Sequence, residues 1–262
     1  MLIATFNCNS VRVRLGTILD WLDAHRPDVL ALQETKCTDE QFPAAAFAAA
    51  GWHVAFRGQK TYNGVAVVSR AEPDEVSFGL GDDDGESEPR LACVRLGDLH
   101  VLNTYVPQGH ELGSDRFQFK LDWFARLRAY LERRFEPARP RLVWVGDLNV
   151  APTEIDVYDP KALRPHVCFC REAIDALAAV VDWGFVDVFR KHLPGGGVYT
   201  FWDYRLPRAV QRNLGWRLDH VLATGPVAAC STDCAVDVEP RKADRPSDHT
   251  FVAARFDLQP GR

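Results

Sequence analysis

The stretch RLVWVGDLN, residues 141–149, gives the strongest indication of the fold. Four consecutive apolar residues are followed by a glycine, an acid and an amide, which is typical of a buried strand that ends in polar groups. Other short runs of the same kind recur along the chain. They predict further strands over residues 2–8, 28–35, 64–70, 90–96, 100–107, 216–224 and 249–256.

Apolar residues at helical spacing separate these strand-like runs. The spacing predicts helices over residues 13–25, 114–135 and 171–181, and the second carries Phe117, Phe124 and Leu131 on one face. Because many strands alternate with few helices, we predict an α/β fold in which two sheets pack face to face with helices outside. Periodicity by itself does not fix the order of the strands.

Composition describes an ordinary globular chain. The 262 residues are 47% hydrophobic and 26% charged, which excludes a disordered, collagen-like or coiled-coil protein. No low-complexity linker divides the chain, so we predict a single domain over residues 1–262. There is no apolar run of ~20 residues and no basic start followed by an apolar stretch, so neither a membrane span nor a signal peptide is expected. Seven scattered cysteines then predict reduced thiols and a cytoplasmic protein.

The charge is unevenly distributed. A net charge of −5 alone argues against a nucleic-acid-binding protein. Eight acids and no Lys or Arg lie between Glu72 and Glu88, however, and residues 79–89 are predicted to form a solvated loop. Six basic residues and one acid lie between Arg190 and Arg217. We therefore expect one face to attract phosphate while another repels it, with further basic side chains on helix 114–135: Lys120, Arg126 and Arg128.

Polar side chains follow several of the predicted strands. They are oxygen-bearing groups with one histidine: Asn7, Asn9, Glu34, Asp147, Asn149, Asp219, Asp248 and His249. Such a set suits Mg²⁺ or Mn²⁺ better than zinc, and such an ion can polarise a phosphoryl oxygen. Taken singly the pieces are weak, because an acid at a strand end is usually solvated and SDH can also be a turn or a helix N-cap.

Eight motifs together resemble, in order, the sequence blocks of the exonuclease III family of class II apurinic/apyrimidinic endonucleases. They are FNCNSVR, LALQETK, YNGVAVVSR, NTYVPQG, VGDLNVAPTEIDVYDP, YTFWDYR, GWRLDHVL and PSDHTFV. GDLN and SDH occur across the wider endonuclease/exonuclease/phosphatase superfamily, whereas DVYDP, TFWDYR and GWRLD point to its DNA-repair branch. The resemblance extends from Leu2 to about Phe256. It implies a four-layered α/β sandwich with two mixed sheets between helices.

The resemblance also implies an activity and its partners. The expected enzyme is a Mg²⁺- or Mn²⁺-dependent nuclease of base-excision repair that cleaves the phosphodiester 5′ to abasic sites. It would also have 3′→5′ exonuclease and 3′-phosphodiesterase activity. The expected partner is double-stranded DNA with abasic sites or 3′ ends. No membrane and no obligate protein partner is expected, and the enzyme would lie with the nucleoid in the cytoplasm.

Roles follow residue by residue from the same resemblance. Tyr105 would contact the phosphate, Asp147 and Asn149 would handle the nucleophile and the phosphate, and Asp219 would orient His249. The implied metal ligands are Asn7, Glu34, Asp147, Asn149, Asp248 and His249. Phe201, Trp216 and Leu218 would form an apolar pocket for an extrahelical abasic sugar, although such aromatics can also be core residues. Gln108, Arg205 and Arg212 are candidates for DNA contact.

Some points stay open at this stage. The base can be Asp147 or His249, and one or two metals can act. Residues 166–177 depart from the family pattern, so the resemblance does not define the loop near the pocket. A strand end or bend is expected near Leu218, because Trp216 and Asp219 have opposite parity. Alternative functions are a superfamily phosphoesterase acting on RNA, lipid or inositol phosphates, and a non-catalytic DNA-binding relative.

Overall fold

The computed structural model of the protein describes residues 1–82, 88–136 and 140–258. Within them, twelve strands, β1 to β12, comprise Leu2–Asn7, Val29–Gln33, His53–Arg57, Val65–Ser69, Glu75–Phe78, Leu91–Leu96, Leu99–Tyr105, Arg141–Asp147, Phe185–Asp187, Asp219–Thr224, Ser231–Asp237 and Phe251–Phe256. Seven helices in the same ranges, α1 to α7, comprise Leu15–His25, Ala44–Ala49, Asp115–Arg134, Pro160–Leu163, Arg171–Val181, Val188–His192 and Gly225–Ala229. None of these helices is long and apolar enough to cross a lipid bilayer.

The described strands form two mixed sheets. The first has the order β11-β12-β1-β2-β4-β3 and the second the order β5-β6-β7-β8-β10-β9. Only the central pairs β1–β2 and β7–β8 are parallel, and the other neighbours are antiparallel. The predicted α/β sandwich of two mixed sheets is confirmed.

Layering follows from the apolar faces of these elements. Between the sheets, valines of β4 (Val65 and Val67) and of β8 (Val143 and Val145) share one buried cluster. Helix α1 covers the outer face of the first sheet, and α3 and α5 cover that of the second. Helix α3 begins where the Ser114 hydroxyl accepts a hydrogen bond from the Phe117 N–H, which satisfies one of the unpaired donors of its first turn.

Polar strand ends meet at one edge of the sandwich because of this topology. The parallel strands β1 and β2 end side by side, and so do β7 and β8. Strand β10 runs antiparallel to β8, so its first residue, Asp219, lies opposite Asp147, the last residue of β8. Strand β12 runs antiparallel to β1, which brings the preceding segment with Asp248 and His249 to the same edge.

The predicted strand over residues 216–224 was too long. Strand β10 begins only at Asp219, and Trp216 instead pairs with Phe201 in an isolated bridge. A strand therefore starts just after Leu218, as the parity of Trp216 and Asp219 requires.

The prediction of a basic face is partly wrong, because several of its residues form ion pairs or hydrogen bonds inside the protein. Arg217 and Arg190 both bind the buried carboxylate of Asp156, and Arg217 also binds Asp187 at 2.8 Å. Lys191 donates to the carbonyl oxygens of Ala228 in α7 and of Ser231 at the start of β11. These cations neutralise buried acids or cap backbone groups and are not available to an external phosphate.

The predicted acidic loop is only partly described. Residues 83–87 lie outside the described ranges, so the prediction of a solvated loop stays a prediction for them. Near its two ends, Asp82 binds Arg126 at 2.7 Å and Glu88 binds Arg90 at 2.5 Å.

A buried histidine should make the stability depend on pH. The Nε2 atom of His220 lies 2.9 Å from the Val150 carbonyl oxygen. Burial, reinforced by the charge of Arg217, lowers the pKa of His220 to about 4. The unfolded chain, with an ordinary histidine pKa of ~6.5, binds the proton more tightly than the folded chain. The contribution of His220 is therefore complete above that value and is lost as the pH falls from there through 4.

We expect the free energy of unfolding of the parent protein to lose about 2 kcal/mol from this group between pH 7 and pH 5. Urea titrations of His220→Asn should show a correspondingly flatter pH dependence over this interval. His53→Asn, which alters an exposed residue, is the matched control. An unchanged slope in His220→Asn would contradict the assignment.

Candidate active site

A cleft of about 220 Å³ opens at the edge where the polar strand ends meet. Eleven of the residues predicted to serve the site line it: Glu34, Tyr105, Gln108, Asp147, Asn149, Phe201, Arg205, Trp216, Leu218, Asp248 and His249. Asn7 and Asp219 lie behind this lining with no exposed surface. Arg212 is exposed and does not line the cleft. Folding thus brings all but one of the predicted residues to one place, although their roles stay predictions.

Glu34 contacts an amide donor and an ammonium group at the edge of the first sheet. It follows β2 directly, in a left-handed conformation with φ of 52°. One carboxylate oxygen accepts a hydrogen bond from the Asn7 amide at 2.8 Å, and the other lies 2.6 Å from the Lys36 ammonium. Although burial opposes the effect, these partners keep the pKa of Glu34 below its usual range. Glu34 is therefore a fixed anion with affinity for a positive charge.

Asp147 and Asn149 form a compact unit at the end of β8. The Asp147 carboxylate accepts hydrogen bonds from the Asn7 side chain at 2.9 Å and from the Asn149 backbone N–H at 2.9 Å. The Asn149 side chain donates to the Val106 carbonyl at 3.0 Å. Burial, together with the neighbouring Asp219 carboxylate, raises the pKa of Asp147 to about 7 against the opposing effect of His249. Asp147 can therefore exchange a proton near neutral pH.

His249 lies between two carboxylates. Its Nδ1 atom is 2.7 Å from Asp219 Oδ2, and its Nε2 atom is 3.6 Å from Asp147 Oδ2. Burial disfavours the charged ring, but Asp219 and then Asp147 outweigh burial and raise the pKa of His249 to about 10. The bond to Asp219 fixes the orientation of the ring and leaves Nε2 towards the cleft.

Tyr105 and Asp248 complete the polar part of the cleft. Burial, reinforced by Glu34 and Asp147, raises the pKa of the Tyr105 hydroxyl well above its usual range, so the hydroxyl is a donor at neutral pH. Asp248 accepts a hydrogen bond from the Asn9 side chain at 3.0 Å. This bond orients the Asp248 carboxylate from outside the lining of the cleft.

The polar groups fit a hard divalent cation. Among the described residues, ligand atoms of Asp147, Asp219 and His249 lie within 4.8 Å of one another; this group includes Asp219, which was not a predicted ligand, and does not include Glu34 or Asp248. Asp219 Oδ1 is buried and has no hydrogen-bond partner. The Lys36 ammonium against Glu34 shows that a cation is already stabilised beside the predicted principal ligand. Carboxylate and amide oxygens of this kind are the ligands that Mg²⁺ and Mn²⁺ prefer.

One wall of the cleft is apolar. It contains the three predicted pocket residues, Phe201, Trp216 and Leu218, together with two residues that sequence analysis did not assign to the site, His166 and Cys168. The His166 ring lies 4.7 Å from the Trp216 ring, between centroids, and burial lowers the pKa of His166. The departure from the family pattern in residues 166–177 was the available signal for these two residues; a third unassigned lining residue, Asp203, lies in the TFWDYR motif.

The predicted phosphate contacts of helix α3 are wrong for Lys120, which has no exposed surface. Arg126 binds Asp82, and Arg128 binds Glu132 on its own helix. Arg205 reaches the cleft but is paired with Asp203 at 2.7 Å. Gln108 is exposed at the rim and stays a candidate for DNA contact, as does Arg205.

The contact between His249 and Asp219 predicts how the pKa of His249 changes when Asp219 is replaced. In Asp219→Asn the ring loses its largest source of charge stabilisation, so the pKa of His249 should fall below that of the parent protein. An NMR titration of the imidazole signals in the presence of EDTA measures this shift directly. Asp233→Asn, on the exposed face of β11, is the control. A His249 pKa equal to that of the parent would show that the pair does not interact in this way.

Known proteins share this fold and sequence. Residues 4–249 match the profile of the Endonuclease/Exonuclease/phosphatase family. Exodeoxyribonuclease III of Haemophilus influenzae is 31% identical over 268 residues, which cover 98% of this chain and 100% of that protein. DNA repair nuclease APEX1 of Danio rerio is 32% identical over 255 residues, covering 95% and 80% of the two chains.

A solved structure of an AP endonuclease from Archaeoglobus fulgidus has a TM-score of 0.95 and 46% identity, covering 98% of this chain and 100% of that one. The 3′ phosphatase NExo from Neisseria, solved with a product DNA hairpin, has a TM-score of 0.94 and 39% identity with the same coverage. Nucleases of this kind are metal-dependent phosphodiester hydrolases. The chain thus belongs to the Endonuclease/Exonuclease/phosphatase family, within the group of exodeoxyribonuclease III and AP endonuclease relatives.

Proposed function

We propose that the protein is a Mg²⁺-dependent DNA-repair nuclease that cleaves duplex DNA on the 5′ side of abasic sites. The observation that carries this proposal is a single cleft that joins ionised groups to an apolar wall. The ionised end suits a phosphodiester, and the apolar wall suits a sugar without its base. The similar Archaeoglobus protein is named an AP endonuclease, and the Neisseria protein is named a 3′ phosphatase and a 3′–5′ exonuclease. We extend 3′→5′ exonuclease and 3′-phosphodiesterase activity to this chain.

The metal would be held by Glu34 and Asn7 on one side and by Asp147, Asn149, Asp248 and His249 on the other. When bound, Mg²⁺ or Mn²⁺ would neutralise charge on the phosphoryl oxygens. Glu34 suits the role of principal ligand because it stays ionised beside Lys36. Asn7 links Glu34 to Asp147 through two hydrogen bonds, so it would keep the two carboxylates at a fixed separation.

Proton transfer is divided between Asp147 and His249. With its pKa raised to about 10, His249 stays protonated at neutral pH, so its Nε2 would donate to the scissile phosphate and would ligate a metal only after losing that proton. Asp147, with a pKa of about 7, would take the proton from the attacking water. Tyr105 and Asn149 would donate hydrogen bonds to the phosphate. Asp219 would act only through His249.

DNA would approach across the rim of the cleft, where Gln108 and Arg205 are exposed. Arg212 lies outside the lining and would contact only DNA that extends beyond the cleft. The partner is double-stranded DNA with an abasic site or a 3′ end.

We place the enzyme in the cytoplasm with the nucleoid. We also assign all of residues 1–262 to one domain, and we expect no obligate protein partner. The apolar wall disfavours inositol phosphates, which are polar on every side.

The central experiment is incision of a duplex with one abasic analogue, with and without Mg²⁺. Glu34→Gln removes the charge but keeps the shape, so we expect turnover at limiting Mg²⁺ to fall by about 10²-fold or more. The half-saturating Mg²⁺ concentration should rise in the same variant. Glu40→Gln, an exposed neutralisation nearby, is the control. Parental turnover of Glu34→Gln at limiting Mg²⁺ would reject Glu34 as a ligand, and no Mg²⁺-dependent incision by the parent would reject the proposed function.

The apolar wall is tested by discrimination between substrates. Trp216→Ala should reduce the preference for an abasic duplex over an undamaged recessed 3′ end by about 1–3 kcal/mol, because the wall works by packing. The comparison is the ratio of kcat/KM values for the two substrates. Trp21→Ala is the control, since Trp21 is equally buried, at 5% exposed, but lies in the cluster outside the first sheet. If Trp216→Ala slowed both substrates equally, Trp216 would be a core residue only.

A further inference from the structure

Helix α3 carries a lysine in the middle of its apolar stripe. Lys120 follows Phe117 by three residues and precedes Phe124 by four, and all three side chains face the second sheet. Lys120 has 0% exposure, although lysine is among the residues least often buried. A buried ammonium loses hydration, so its place must be supported by strong local hydrogen bonds.

Three carbonyl oxygens supply that support. The Lys120 Nζ atom donates to the carbonyls of Asn149 at 2.7 Å, Val167 at 2.7 Å and Gln108 at 3.2 Å. These bonds use all three hydrogens of the ammonium. Among the described residues Lys120 forms no ion pair with a carboxylate, so its partners are backbone groups alone.

Each carbonyl belongs to a different segment that lines the cleft. Gln108 lies at the rim, Asn149 follows the end of β8, and Val167 lies between His166 and Cys168 of the apolar wall. A further bond joins two of these segments, because the Ala151 N–H donates to the Cys168 carbonyl at 2.7 Å. One buried charge therefore connects the polar end of the cleft with its apolar wall.

Asn149 is held at several points. Its φ is 49°, in the left-handed region, which asparagine tolerates better than most residues with a side chain. Its N–H and its side chain are bound by Asp147 and Val106, and Lys120 holds its carbonyl. The chain also leaves room for the lysine stem, since a Cβ at Gly109 would lie 3.2 Å from Lys120 Cδ.

We propose that Lys120 is a positioning residue for the nuclease site, because it fixes the Asn149 backbone and the His166–Cys168 wall in one arrangement. This inference rests on the proposed function for the role of Asn149. Lys120 touches no substrate. It acts by holding three loops at the separation that phosphodiester cleavage requires, and small displacements of such groups cost rate steeply.

The test compares Lys120→Met with Leu127→Ala. Met keeps the length of the side chain but removes the ammonium, whereas Leu127→Ala makes a cavity on the same face of α3 without touching the three loops. At a temperature at which both variants are fully folded, we expect kcat of Lys120→Met to fall about 10- to 100-fold. KM for the DNA and the half-saturating Mg²⁺ concentration should change by less than about threefold. The kcat of Leu127→Ala should stay within about twofold of the parent.

A second measurement does not depend on activity. Amide hydrogen exchange of Ala151 should accelerate by about tenfold or more in Lys120→Met, relative to amides in the centre of β8, and should not do so in Leu127→Ala. If Lys120→Met does not fold, Lys120→Gln, which also lacks the charge, takes its place with the same expectations.

The outcomes separate the two proposals. Parental kcat and parental Ala151 exchange in the lysine variant would overturn the positioning role, and so would an equal loss of kcat in Leu127→Ala. Absence of Mg²⁺-dependent cleavage by the parent protein would instead overturn the proposed function, while the exchange measurement would still report whether Lys120 holds the loops.

Discussion

The two sheets are joined beneath the cleft by a buried set of polar bonds around Asn103 in β7. The Asn103 side chain donates to the carbonyls of Leu32 and Ala66 in the opposite sheet, both at 2.9 Å, and accepts from the Gln33 side chain at 2.7 Å. Apolar packing between sheets is non-directional and tolerates sliding. These bonds do not, because any shift would leave buried polar groups unpaired. They thus fix the positions of β2, which ends just before Glu34, and of β7, which ends at Tyr105.

The alignment of the two sheets sets the distances between the charged groups of the site. Asp147 and Glu34 come from different sheets, and Asn7 bridges them with one amide. Burial, and after it the Asp219 carboxylate, raise the pKa of Asp147, whereas Lys36 and Asn7 lower the pKa of Glu34 despite its burial. Two acids of similar chemistry thereby acquire different properties, one suited to a metal and the other to proton transfer.

Prediction from sequence succeeded for buried elements and failed at the margins of the sheets. The eight strands expected from apolar runs are the central ones, although the strand expected over residues 216–224 starts later, at Asp219. The four strands that were not expected among the described residues, β3, β5, β9 and β11, all lie at sheet edges. An edge strand is paired on one side only and is partly exposed, so its sequence need not be continuously apolar. Helices α1, α3 and α5 were expected because each covers a sheet with one apolar stripe.

The sequence by itself determined the class of fold, the identity of the polar strand ends and the resemblance to a nuclease family, because these depend on local pattern and on motifs in order. Only the tertiary structure decided which basic side chains are paired with acids or carbonyls inside the protein. Lys120, Arg190 and Arg217 look like phosphate contacts in a linear sequence, but each is buried or nearly so against acids or carbonyls that are distant along the chain. The structure likewise placed His166 against Trp216, because the segment around it folds over the cleft. A charge is available to a ligand only if no closer partner compensates it, and that depends on which distant segments meet in the folded chain.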